Sequence, residues 1–149
     1  MNTFDKFHFA EQAERLFADI YGALAKQCEH EPTHHALFSR LEQEEIQHAM
    51  RINMLRKRYV AMGRDMKAIK LDIAPLQILL KQGEMLKQRL ESGELSGNIP
   101  EIVAIIAELE RKFAGVHAEM ISETADASLR TFFEKLAAQD RGHASLLSQ

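Results

Sequence analysis

Residues 38–52 decide the fold most clearly, and they read FSRLEQEEIQHAMRI. Steps of three and four residues along this stretch pass through Phe38, Leu41, Glu45, His48 and Ile52. Residues with this spacing lie on one face of an α-helix, and an apolar face packs inward. Because a buried, isolated carboxylate is costly, the glutamate on this face must be paired, protonated or bound to a metal ion.

The chain contains four such faces, each apolar and each interrupted by one carboxylate. The first comprises Phe7, Ala10, Glu14, Phe17, Tyr21, Leu24 and Cys28. The second continues the stretch above to Leu55, Tyr59 and Met62. The third comprises Val103, Ile106, Glu110, Phe113, His117, Met120 and Thr124, and the fourth Leu129, Phe133, Leu136, Asp140, His143 and Leu147. In the second and fourth faces a histidine follows the carboxylate by three residues, so the two side chains are neighbours.

These faces predict an all-α protein. Helices are expected from about Thr3 to Cys28, from Pro32 to about Gly63, from Pro100 to near Thr124, and from an N-cap at Asp126 to the C-terminus. An extra helix is expected to begin at Pro75, after a crossover at residues 64–74, and to end in the turn-rich residues 92–98. Its apolar side would comprise Leu76, Leu79, Leu80, Leu86 and Leu90.

The second half of the chain repeats the first. Residues 14–18 (ERLFA) match residues 110–114 (ERKFA), and residues 38–49 match residues 133–144 at their apolar, acidic and histidine positions. Each half therefore predicts a helical hairpin, in which the two carboxylates lie at the same height. The sequence predicts a single domain over residues 1–149, a four-helix bundle of two antiparallel hairpins joined by a long crossover containing the extra helix.

Composition excludes several classes of protein. The formal net charge is −3, which argues against a nucleic-acid binder. Cys28 is the single cysteine, so the chain can form neither an internal disulfide nor a CxxC metal module, and a reducing compartment fits. We expect a cytoplasmic protein without a signal peptide or a membrane span, because the longest apolar run, residues 102–107, is too short.

The four carboxylates and two histidines together indicate a metal centre. The predicted ligands are Glu14, Glu45, His48, Glu110, Asp140 and His143. Their four negative charges would balance two divalent ions. Oxygen and imidazole ligands without thiolate favour iron or manganese, with zinc as a further option.

The segments that carry these ligands resemble a known family. Residues 41–49 (LEQEEIQHA) resemble the second-helix motif of the rubrerythrin branch of the ferritin-like di-iron superfamily, and residues 136–144 (LAAQDRGHA) resemble its fourth-helix partner. Glu14 with Tyr21 seven residues later is similar to the first-helix pattern. The resemblance implies a non-haem di-iron or di-manganese oxidoreductase, peroxidase-like or ferroxidase-like, which reacts with oxygen or hydrogen peroxide.

By the same resemblance, Glu45 and Glu110 would bridge the two ions, and Glu14, Asp140 and the histidines would be terminal ligands. A separate electron-donor protein is implied, because the sequence lacks the cysteine-ligated rubredoxin domain of full-length rubrerythrins; a homodimer is also expected. Haem is not expected, because Ile46 stands near the position of the haem-binding methionine. Asp140 replaces the usual glutamate, and the extra third-helix glutamate of peroxidase-type members is missing, which weakens the peroxidase assignment.

Alternatives remain at several positions. Glu44 competes with Glu45 as a ligand, and Glu108 competes with Glu110, although the repeat and the apolar face favour Glu45 and Glu110. Tyr21 and His117 are expected to hydrogen-bond to ligand carboxylates, with direct metal contact by His117 as the minority option. No catalytic residue is predicted beyond the metal ligands. The alternative functions are a non-catalytic iron-binding or buffering protein and a metal-free interaction module.

Overall fold

In the computed structural model, which describes residues 3–61, 74–94, 98–123 and 127–148, all regular structure is helical. Five helices follow one another: α1 (Thr3–Gln27), α2 (Pro32–Ala61), α3 (Ala74–Glu91), α4 (Ile99–Glu123) and α5 (Ala127–Leu147). The all-α prediction is confirmed for these residues. The crossover expected at 64–74, the cap positions Gly63 and Asp126, and the face residues Met62 and Thr124 lie almost entirely or fully outside the described part of the chain.

Local sequence sets the helix ends. Pro32 starts α2 one short turn after α1, where its missing N–H costs nothing. After α3, Gly93 has a φ of 79°. Its N–H donates to Leu90 O (3.2 Å), and the N–H of Glu94 donates to Arg89 O (3.1 Å), which is the Schellman pattern. Asn98 caps α4, because its side-chain oxygen accepts the N–H of Glu101 at 3.4 Å.

Side-chain contacts give the directions of the helices. Asn53 near the end of α2 donates to Glu11 near the start of α1, whereas His35 at the start of α2 contacts the carbonyl of Ala25 at the end of α1. These two helices are therefore antiparallel. Arg111 of α4 donates to Ser148 and His117 contacts Asp140, so α4 and α5 are antiparallel as well.

The two hairpins face each other with α1 antiparallel to α4. Tyr21 of α1 bonds Glu110 of α4, and the rings of Phe17 and Phe113 lie 5.0 Å apart. The α2 helix is then antiparallel to α5. Helix backbones approach most closely within the hairpins, and long side chains fill the wider space between them.

Helix α3 packs along the outside of α1 and also touches α4. It buries Leu76, Leu79, Leu86 and Leu90, while Leu80 is half-buried. Gly83 lies against Leu16, and a Cβ at this position would be 2.6 Å from Leu16 Cδ2. Together with the contact of Gln27 with Leu90, this places α3 parallel to α1. Helix α3 therefore runs along the bundle and connects the end of α2, at one end of the bundle, to the start of α4, at the other.

Candidate metal centre

All six predicted ligands lie inside the bundle. Each of them is at most 4% exposed: Glu14, Glu45, His48, Glu110, Asp140 and His143. Apart from Tyr21 and His117, which are themselves buried, the other members of the four faces whose burial is described are apolar and mostly buried, so the carboxylates have little access to water. The structure thus brings together the six residues, hereafter the six-residue cluster, in the space between the hairpins.

Two groups of potential ligand atoms share Glu45. Glu14, Glu45 and His48 form one group, and Glu45, Glu110 and His143 form the other, with the atoms of each group within 4.8 Å of one another. His48 Nδ1 lies 3.5 Å from an oxygen of Glu14 and of Glu45. His143 Nδ1 lies 2.7 Å from Glu45 Oε1 and 3.4 Å from Glu110 Oε1. One carboxylate therefore lies between two imidazole nitrogens.

A third group contains Asp140. Its ligand atoms come from Glu14, His117 and Asp140, again within 4.8 Å. Asp140 Oδ2 contacts His117 Nδ1 at 2.6 Å. The expected ligand role of Asp140 beside His143 stays a prediction, because the geometry associates Asp140 with His117 and Glu14 instead. A side chain one methylene shorter than glutamate reaches less far across the gap.

Tyr21 and His117 both contact carboxylates of the cluster. The hydroxyl of Tyr21 donates to Glu110 Oε1 at 2.7 Å, and His117 Nδ1 shares a hydrogen bond of 2.6 Å with Asp140 Oδ2. Glu110 Oε2 is left without a hydrogen bond, as is His117 Nε2. Each of these bonds fixes one end of a buried polar group and leaves the other end directed at the interior.

The six-residue cluster and the adjacent His117 contain many buried polar atoms without a hydrogen bond among the described residues. They are Glu14 Oε2, both carboxylate oxygens of Glu45, Glu110 Oε2, His48 Nδ1, His117 Nε2 and His143 Nδ1. Short distances such as the 2.7 Å between His143 Nδ1 and Glu45 Oε1 lack the angles of a hydrogen bond. Buried polar atoms almost always have partners, so this concentration requires an explanation.

Glu44 and Glu108 lie outside these groups. Glu108 is exposed and pairs with Arg111. Glu44, the rival of Glu45, accepts from His143 Nε2 at 2.7 Å and from Arg40 Nε at 3.2 Å. The sequence analysis missed this contact between Glu44 and His143. The adjacency of two glutamates in residues 44–45 was the available signal, since neighbouring helix residues point to different sides of a helix.

Burial and mutual repulsion shift the proton affinities in the cluster. Burial, with the charges of Glu14 and Glu110, raises the pKa of Glu45 well above its usual value. Burial also raises the pKa of Asp140 to about 8, although His117 opposes this. For Glu14, burial is outweighed by the nearby Glu45 and His48, and the pKa falls to about 2. Without an ion, the cluster therefore retains protons on some of its carboxyl groups at neutral pH.

The pKa of His143 is raised to about 9, because the carboxylates of Glu110 and Glu44 outweigh the opposing effect of burial. The pKa of Glu44 is lowered, since hydrogen bonds from His143 and Arg40 outweigh its partial burial. A carboxylate in the position of Glu44 holds the proton on Nε2 of His143, so that an ion inside the cluster would compete only for the proton on Nδ1.

No helix among the described residues is long and apolar enough to cross a lipid bilayer. Comparisons with models of protein families, with curated proteins and with solved structures find no match to this chain. The support for a function therefore comes from the geometry of the cluster itself.

Proposed function

We propose that this protein binds a pair of divalent metal ions, preferentially iron, and is a ferritin-like protein of the rubrerythrin type that reacts with oxygen or hydrogen peroxide. The observation that carries the proposal is the pair of buried groups that share Glu45, with their unpartnered oxygens and nitrogens directed at one another. An ion in each group would satisfy these atoms.

The donor set fits two divalent ions by charge and by chemistry. Four carboxylates neutralise four positive charges, and carboxylate oxygen with imidazole nitrogen suits iron or manganese. Glu45 would bridge, since it belongs to both groups. The bridging role that the resemblance implies for Glu110 has less support, because Glu110 belongs to one group and one of its oxygens accepts the Tyr21 hydroxyl.

The surrounding residues prepare the ligands. Glu44 accepts the Nε2–H of His143, so that the proton an ion would displace is the one on Nδ1, inside the cluster. Tyr21 orients Glu110 through Oε1 and leaves Oε2 to bind. When bound, two ferrous ions would supply two electrons, which together with two protons reduce one hydrogen peroxide to two waters. The buried apolar walls formed by Phe17, Phe113 and Phe133 would keep bulk water from the centre.

Metal analysis tests the proposal. Protein purified from its native host should contain transition metal, and anaerobic loading with Fe²⁺ should saturate near two ions per chain. Glu110→Ala or His48→Ala should lower the metal content, because each removes a ligand. The matched control is Glu108→Ala, an exposed glutamate on the same helix as Glu110.

Equal metal loss in Glu110→Ala, His48→Ala and Glu108→Ala would contradict the site assignment, and substoichiometric metal in the native protein would favour a metal-free module. Stopped-flow oxidation of the ferrous-loaded protein then distinguishes the oxidoreductase from an iron buffer. Consumption of oxygen or peroxide no faster than with free iron would favour the buffer.

A further inference from the structure

A surface cavity lies directly outside the cluster, between α2 and α5, and is hereafter the α2–α5 pocket. Its volume is about 440 Å³. His48 and His143 form its floor, and Arg40, Glu44, Arg51 and Gly142 are among the residues of its wall and rim. The cavity is open because α2 and α5 belong to different hairpins, whose backbones lie farther apart than those within a hairpin.

This pocket leads to the cluster through its two histidines. The side chains of His48 and His143 are each 5% exposed, whereas those of Glu45 and Glu110 are fully buried. The two imidazole rings are stacked, with centroids 5.8 Å apart and an angle of 13° between their planes. Three other surface cavities in the described part of the chain are lined by none of the six cluster residues.

The charges at the rim favour small anions. Arg40 is paired with Glu44, which also accepts from His143. Arg51 has no carboxylate partner among the described residues and is exposed. One guanidinium is thus left uncompensated beside the floor of the pocket. Since liquid water occupies roughly 30 Å³ per molecule, the cavity has room for a small solute together with several waters.

We propose that the α2–α5 pocket is the site through which small polar solutes, and small anions preferentially, reach the two histidines and the centre behind them. This inference rests on the proposed function, because it assigns the access route of the same centre. Arg51 attracts the solute, Glu44 and the two imidazoles separate the pocket from the carboxylates, and the absence of a side chain at Gly142 keeps the opening wide.

Gly142 allows a sharp test. A Cβ at this position would meet no atom within 4 Å, so the side chain of Gly142→Phe starts in open space and can extend into the pocket that Gly142 lines. Gly115 on α4 is the matched control, since a Cβ there also meets open space and the residue lies outside the pocket. In the metal-free protein, diethyl pyrocarbonate should modify His48, located by mass spectrometry of peptides, several-fold more slowly in Gly142→Phe than in the wild type or in Gly115→Phe.

Azide binding to the Co²⁺-loaded protein provides the second measurement, followed by visible absorption. Gly142→Phe should weaken azide binding several-fold at unchanged Co²⁺ content. Arg51→Gln should weaken it about threefold, as expected for one charge acting across several ångströms of solvated space. Arg51→Lys should restore it, and Arg141→Gln, which removes an exposed arginine of α5 outside the pocket, should leave it unchanged.

The two proposals fail separately. If Co²⁺ does not bind, the proposed function fails, whereas the modification rates of the metal-free protein still test access. If Co²⁺ binds and Gly142→Phe changes neither histidine modification nor azide affinity, the access route is wrong. Equal effects of Arg51→Gln and Arg141→Gln would overturn the preference for anions.

Discussion

The two hairpins carry the same sequence pattern, yet their buried polar groups are bonded differently. In α1 and α2, Glu14, Glu45 and His48 form one compact group. In α4 and α5, the corresponding residues belong to two different groups. His143 is grouped with Glu45 and Glu110, whereas Asp140 is grouped with His117 and Glu14. An internal repeat thus fixes where ligands lie along the helices but leaves their partners to side-chain length and rotation.

Tyr21 and His117 occupy equivalent positions in the repeat, seven residues after Glu14 and Glu110, and their hydrogen-bond partners differ as well. Tyr21 bonds across the gap to Glu110 of the other hairpin. His117 bonds to Asp140 within its own hairpin. A phenol is a donor at one end only, whereas an imidazole has two ring nitrogens, and the second nitrogen of His117 remains buried and unpartnered. The two halves of the centre should therefore differ in metal affinity.

The largest expected effect is a difference in metal binding between substitutions of Glu45 and of Asp140, which occupy equivalent positions in the repeat. Glu45→Gln keeps the side-chain shape but removes the carboxylate common to both groups, so binding of both ions should weaken. Asp140→Asn should affect binding of one ion at most, because Asp140 belongs to neither of these groups. Calorimetric titration with Co²⁺ measures both variants, and equal losses would show that the hairpins are equivalent after all.

A smaller effect concerns the pH dependence of the metal-free protein. The pKa of His143 is raised in the folded state from 6.5 to about 9, and that of Asp140 from 3.8 to about 8. Each raised pKa contributes stability that is complete below the unfolded value and is lost as pH rises through the folded value. Asp140 should therefore lower the free energy of unfolding as pH rises from about 4 to 8, and His143 as it rises from about 6.5 to 9. The steepest fall is expected between about pH 6.5 and pH 8, where both groups contribute.

Urea unfolding at several pH values in the presence of a chelator measures this loss, and His143→Gln should reduce its slope above neutral pH. Metal binding should show the opposite trend, with affinity rising as pH rises, because the ions displace protons from the cluster. Metal-free stability that increases from pH 7 to pH 9 would contradict the pKa directions given above.

The smallest effect is expected at Tyr21. Tyr21→Phe removes the hydroxyl that donates to Glu110 and leaves a buried carboxylate oxygen without a partner. The cost should be about 1–3 kcal/mol of unfolding free energy, as for buried hydrogen bonds to charged groups. A double-mutant cycle with Glu110→Gln isolates the bond. No coupling between the two substitutions would indicate that the phenol contributes only its packing.

Much of the fold could be predicted because the prolines and turn residues indicate the same helix boundaries as the spacing of the apolar residues. Pro32 and Pro100 locate two helix starts to within a residue, and the leucines of α3 predict its buried side. The start of α3 at Ala74 lies one residue before the expected Pro75. The cap of α4 by Asn98 was missed, since an asparagine in the turn-rich residues 92–98 is as typical of a loop as of a cap.

The candidate site could be predicted as a set of residues but not as a set of bonds. Helical spacing placed Glu45 and Glu110 in the interior and Glu108 outside, which the burial of these residues reflects. Spacing does not specify side-chain torsions, so the contact of Glu44 with His143 did not follow from it. A bond between His117 and a ligand carboxylate was expected, but spacing could not identify Asp140 as the partner. Whether the six residues bind metal, and which metal, stays a prediction.

Glu11 illustrates what periodicity leaves out. It lies outside the apolar face of α1 but is only 9% exposed, and it accepts hydrogen bonds from Arg15 and Asn53 and lies 3.6 Å from Arg56 of α2. In the sequence it is an unremarkable acidic residue near the N-terminus. Its burial arises from tertiary contact with α2, so only an expected pairing of charges across the hairpin could have indicated it.

The distance between the hairpins has a mechanical consequence. An ion held by ligands of both hairpins would crosslink segments whose backbones approach each other less closely than those within a hairpin. Amide hydrogen exchange on α2 and α5, beside the open pocket, should therefore become slower when an ion is bound. Helix α1 also packs against α3 on its outer side. Amide exchange on α1 should therefore depend much less on whether an ion is bound.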